Sequence, residues 1–110
     1  MGADPVLAER VRDLLKRRKG VREQKMFGGV AFMVNGNMAC GVSNEDLCLR
    51  LGKEGAAEAL KARGVRPMNF TGKVISTMVF VSADVLNADE SLKRWVEKGV
   101  KFARTLEPKE

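Results

Sequence analysis

The dipeptide Asn35-Gly36, set between two apolar runs in the stretch KMFGGVAFMVNGNMACGV (residues 25–42), constrains this chain more than any other feature. A two-residue type I′ hairpin needs positive φ at both central positions, and Asn-Gly supplies it at low steric cost. Such a turn sets the pairing on either side: Val34 opposite Asn37, Met33 opposite Met38, Ala31 opposite Cys40. Because side chains alternate along a strand, register assigns faces. A second turn at residues 43–46 pairs Val42 with Leu47 and continues the meander through LCLRL (residues 47–51). Ala31, Met33, Met38, Cys40, Val42, Leu47, Leu49 and Leu51 then share one apolar face, expected to pack against helices. Val30, Phe32 and Val34 share the other with Ala39 and Cys48, broken by Asn37 and Arg50. That second face is the candidate interaction face, for a second copy or a partner. Its cover by a helix or loop of the same chain is the alternative.

Helices are expected before and after this meander along the chain. Asp4-Pro5 suits a helix start, with Asp as N-cap and Pro at the first turn. Leu7, Val11, Leu14 and Leu15 then recur at helical spacing, and Gly20 follows as a stop. Residues 53–63 are rich in Ala and Glu and read as a short helix stopped by Gly64. Arg66-Pro67 reads as extended, Thr71-Gly72 as a turn, and residues 73–81 as a long β-branched strand. Asn87 with Glu90 resembles a capping box. Leu92, Trp95, Val96, Gly99, Ala103 and Leu106 mark one face of a last helix, in which Gly99 implies a close packing contact. The order is α-β(3-4)-α-β-α, with residues 23–27 as the optional fourth strand. The fold class is α+β, a two-layer antiparallel meander sheet with helices on one face, and residues 1–110 read as a single domain.

Little in this frame carries chemistry. A dinucleotide or P-loop glycine motif needs strand, glycine turn, then helix. Gly28-Gly29 is followed by another strand, so the pair reads as a tight bend or bulge. With no His and no Tyr, general bases reduce to carboxylates, Lys and Cys. Glu45-Asp46 and Asp89-Glu90 fall at turn and cap positions. Cys48 and Arg50 share a strand face, which would lower the thiol pKa, but no base accompanies them. Five methionines (26, 33, 38, 68 and 78) read as core filler. No catalytic residue, no metal site and no cofactor is assigned.

Charge is the one surface signal. Twenty Lys/Arg against fourteen Asp/Glu give +6, which permits attraction to polyanions. Lys16, Arg17, Arg18 and Lys19 form a tight cluster and are the candidate nucleic-acid contacts. Lys93, Arg94, Lys98, Lys101 and Arg104 line the last helix. Helix-end capping and a solvated face explain these residues equally well. No aromatic side chains interleave with the cluster, so binding through it would be weak, sequence-tolerant phosphate contact. Cys40 and Cys48 fall on opposite sheet faces in this register and are not expected to bridge. The N-terminus carries acidic residues and no apolar segment of signal length, no run reaches the ~20 residues of a membrane span, and cytoplasm is the expected location.

Three blocks taken together, KMFGGVAFMVNGNMACGV, RPMNFTGKV and WVEKGVKFARTLEP, resemble the N-terminal domain of the TfoX (Sxy) family of bacterial regulators linked to DNA-uptake competence. The likeness covers nearly the whole chain. It implies a two-layer α+β fold similar to secretion-chaperone-like domains, no catalytic residues, and a role in gene regulation. Full-length members add a C-terminal helical domain, so the expectation is a stand-alone member. The leading expectation is a non-enzymatic binding and regulatory module acting through protein or nucleic-acid contacts. The alternative is a homodimeric chaperone-like module holding a protein or peptide on its sheet; a small enzyme using Cys48 or a carboxylate is the third.

Overall fold

In a computed structural model, which describes residues 3–26, 28–70 and 72–109 (Phe70 by its backbone alone), Asp4 caps the first helix, α1 (Pro5–Leu15). Its Oδ2 accepts the Leu7 amide at 3.2 Å, and Pro5 opens the first turn. Leu7, Ala8, Val11 and Leu15 form the buried stripe that the spacing predicted, with Leu14 packed at its margin. Four strands follow: β1 (Val21–Met26), β2 (Gly29–Val34), β3 (Asn37–Ser43) and β4 (Asp46–Arg50). The chain then leaves the sheet as α2 (Gly52–Ala59) and returns as β5 (Val65–Phe70) and β6 (Lys73–Val81). The last helix is α3 (Asp89–Arg104). The strands pair antiparallel in the order β1-β2-β3-β4-β6-β5, so the α+β architecture holds. Buried residues of all three helices join a single core with one face of the sheet.

The turns behave as their residues require. Asn35 and Gly36 have φ of 53° and 84°, the type I′ pattern. At the double glycine, Met26 pairs with Gly29 across a tight turn in which Gly28 takes φ of 73°. A Cβ at Gly29 would lie 2.2 Å from the Val42 carbonyl oxygen, so the second glycine permits close strand approach. The pair is punctuation between strands, as expected. Phe27, the last residue of the optional strand, and Thr71, half of the Thr71-Gly72 turn, lie outside the described residues.

The face assignment needs correction. Near the hairpin the pairs are those expected, Val34 with Asn37 and Met33 with Met38, but Phe32 then pairs with Cys40 and Ala31 with Gly41. Ala39 is the extra residue of a β-bulge on β3. One inserted residue reverses the alternation beyond it. Cys40, Val42, Leu47, Leu49 and Leu51 keep their place in the core, but on β2 the faces exchange. Val30, Phe32 and Val34, the candidate interaction face, lie in the core under the helices, with Phe32 only 1% exposed. Ala31 and Met38 line the far side instead.

Two smaller differences have local causes. The Arg66-Pro67 segment belongs to a full strand, β5, placed at the sheet edge where a proline costs no ladder bond. The α3 N-cap is Ala88 with no side-chain cap, so Asn87 and Glu90 form no capping box. Ser91 Oγ donates to the Val85 carbonyl at 2.6 Å instead.

Gly99 explains how α3 sits on the bulge. A Cβ there would come within 2.5 Å of the Ala39 carbonyl oxygen and 3.3 Å of Leu49 Cδ2. The helix backbone therefore rests against the sheet backbone at the inserted residue, the close contact that a mid-helix glycine implies. Gly99→Ala gains about 1 kcal/mol in helix propensity. It should nonetheless lose about 1–3 kcal/mol overall, because both neighbours are held by packed backbone or core. Urea denaturation measures the balance, and a rise in midpoint would show that the bulge can give way.

Candidate functional site

Two surfaces emerge on opposite sides of the sheet. The first lies on the helical layer. Just after α1, Lys16, Arg17 and Lys19 are exposed, while Arg18 reaches across to α3. Its Nη1 and Nη2 donate to Glu97 Oε2 and Oε1 at 2.5 and 3.1 Å, a bidentate pair. Arg104 Nη2 donates back to the Lys19 carbonyl at 3.3 Å. Arg18 thus acts as a strut, and the hydrogen bonds from its guanidinium hold the Glu97 carboxyl below the usual carboxylate range. On α3, Lys93, Arg94, Lys98, Lys101 and Arg104 are all exposed. Residues 94, 98 and 101 follow one another at helical spacing along the solvent side. The structure therefore joins the two basic segments that the sequence sets far apart.

The second surface is the sheet face that carries no helix. The register runs Ala31–Gly41–Cys48–Phe80 straight across four strands. Ala31 and Gly41 are small and make a trough, and Met26, Met38, Met68, Met78 and Ile75 border it. The resulting groove holds about 190 Å³. Cys48 Sγ lies 3.7 Å from Met68 Sδ. At the rim, Arg66 stacks over the Phe80 ring at 5.5 Å and pairs with Asp46 at 2.6 Å. Four of the five methionines read as core filler line this groove, and none of the five joins the main core. Their unbranched thioethers suit a surface that must fit a neighbour. The signal in the sequence was their number, one on each of five strands; the bulge hid which face Met38 occupies.

The TfoX N-terminal domain model matches residues 13–103. The chain belongs to the TfoX N-terminal domain family. The matched span holds all six strands, the bulge, Gly99 and the Arg18–Glu97 pair. No curated protein and no solved structure matched the chain.

Both cysteines of this TfoX-type domain are buried. Cys40 pairs with Leu49 on the core side, and Cys48 pairs with Gly41 on the groove side. Both are free. Burial pushes the Cys40 thiol up to about 12, with Cys48 adding to the shift, and burial alone pushes Cys48 to about 12. Any lowering of Cys48 by Arg50 is thus absent from the outcome, and both thiols stay protonated at neutral pH. The unfolded chain releases these protons near the usual thiol pKa of ~8.5, whereas the folded chain keeps them. Stability from the two thiols is therefore complete below that value and is lost as pH rises through the folded pKa of about 12. An aromatic disulfide reagent at pH 8 should release almost no thiolate from folded protein and both equivalents in denaturant. Rapid release of one equivalent from folded protein would refute the assignment.

Proposed function

We propose that the chain is a non-enzymatic binding and regulatory module of the TfoX N-terminal type, acting in the cytoplasm in gene regulation or DNA-uptake competence. Its helical layer contacts nucleic-acid phosphates. One observation carries the reading: Arg18–Glu97 and Arg104–Lys19 bring the cations after α1 beside those of α3. Exposed Lys and Arg on one side of a small domain form the electrostatic footprint of phosphate binding. No base-reading array accompanies them, so affinity comes from counterion release and falls steeply with salt.

Arg18 spends its charge on Glu97, so Arg17 and Lys19, with Lys16 beside its surface partner Asp13 at 3.4 Å, are the exposed contributors of the first segment. Binding of a duplex of mixed sequence should show a log–log salt slope of about −4, from four to five phosphates neutralised. The triple variant K16E/R17E/K19E leaves the strut in place and should abolish binding without changing the thermal midpoint by more than a few degrees. Retained affinity in that variant, or sharp preference for one sequence, would overturn the proposal. Anisotropy titration across a salt series gives the answer.

A further inference from the structure

We infer that the helix-free sheet face is a homodimer interface, with the trough of one copy receiving the methionine ridges of a second across a two-fold axis. The chemistry of the face selects this occupant. Its centre is apolar and uncharged: Ala31, Gly41, Cys48 and Phe80 in the trough row, with Met38 and Met78 beside it. A polyanion finds no cation there, and the exposed cations of residues 16–19 and α3 belong to the opposite layer. The rim pair Arg66–Asp46 is neutral as a unit and so adds no net repulsion between two copies.

Edge pairing is closed to a second copy, which leaves stacking. The β1 edge presents exposed Arg22, Glu23, Gln24 and Lys25, and the β5 edge carries Pro67 beside an irregularity in its ladder. Charge, proline and broken register are the devices that keep edges from adding strands. Stacking has enough area. Strands ~4.8 Å apart and ~6 residues long give a six-stranded face of ~25 by ~20 Å. Two such faces bury about 1,000 Å² together, the lower bound for a specific interface. An apolar centre rich in Met and aromatic side chains inside a polar rim containing Arg is also the composition of such interfaces.

Shape points the same way. A trough of Ala31 and Gly41 beside long flexible thioethers is self-complementary when turned by 180°, since ridge then meets trough twice. Such a pair is a four-layer sandwich with the helices outside. Where the helical surface binds phosphates as proposed above, the dimer holds two such surfaces facing away from each other; the interface itself does not depend on that reading.

Sedimentation velocity of the wild-type chain over a concentration series tests the inference. The expected result is a dimer at tens of micromolar that M38E and M78E each convert to monomers with unchanged circular dichroism. A wild-type chain that stays monomeric at several hundred micromolar overturns it, as does a dimer that both variants retain, which would use another surface. Should the variants lose structure, peroxide oxidation of the wild-type chain decides. Met38 and Met78 should oxidise at least ~5-fold more slowly in concentrated than in dilute protein, because the thioethers are covered only in the pair. Equal rates at the two concentrations overturn the inference.

Discussion

Everything in this domain turns on the contact between the Gly99 backbone and the carbonyl of Ala39. The bulge at Ala39 puts one more residue on β3 than on β2, and the reversed alternation sends Val30, Phe32 and Val34 inward. A regular ladder would leave Phe32 on the face without helices and put Ala31 under α3. Only a glycine on the helix leaves room for the protruding backbone. The bulge and Gly99 therefore require each other, and with them settled Leu92, Val96, Val100 and Ala103 can close over Val42, Leu47 and Leu49 in one core.

From that contact follows the separation of surface chemistries. The β-branched and aromatic residues of β2 fill the core, and the thioethers and small residues move to the other side. The charged side chains of α1 and α3 stay on the helical layer, outside the core. One sheet thus divides a basic, hydrated layer from an apolar, polarisable one. Fully buried Val, Leu and Phe side chains each contribute about 1.5–3 kcal/mol, and the largest of them lie on the helix side. The groove side is left free to meet something else.

The parts of the fold legible in the sequence are those where one residue type has one local solution. Asn35-Gly36 takes its I′ turn, Asp4-Pro5 caps α1, and Gly28-Gly29 bends the chain between strands, because each answer lies within a few residues. The Cys48–Gly41 pairing was also readable, since no insertion falls between that pair and its turn. The bulge was not readable, for Ala39 has no property that marks it as the inserted residue. The residue that accommodates it is Gly99, sixty positions away. That one inserted residue accounts for the placement of Val30, Phe32 and Val34 in the core and of Met38 on the far side. Of the basic cluster, the sequence showed the charges but not that Arg18 is committed to Glu97.

That commitment separates two roles that charge plays here. Arg18 and Glu97 are both about a third exposed, at 33% and 39%, and ion pairs in that setting contribute about 0–1 kcal/mol. Such a pair adds little to the stability of the core, which apolar burial already secures. What it does fix is position: a bidentate guanidinium–carboxylate contact orients the segment after α1 against the side of α3. The C-terminal segment is held in a similar way, by Asn37 Nδ2 donating to the Glu107 carbonyl at 2.8 Å and the Lys109 amide donating to the Asn35 carbonyl at 2.9 Å. The segment after α1 is thereby tied to α3, and the C-terminal segment to the β2–β3 hairpin. The burial of the sheet determines where the helices lie, and a weak, directional ion pair determines how their charges are presented.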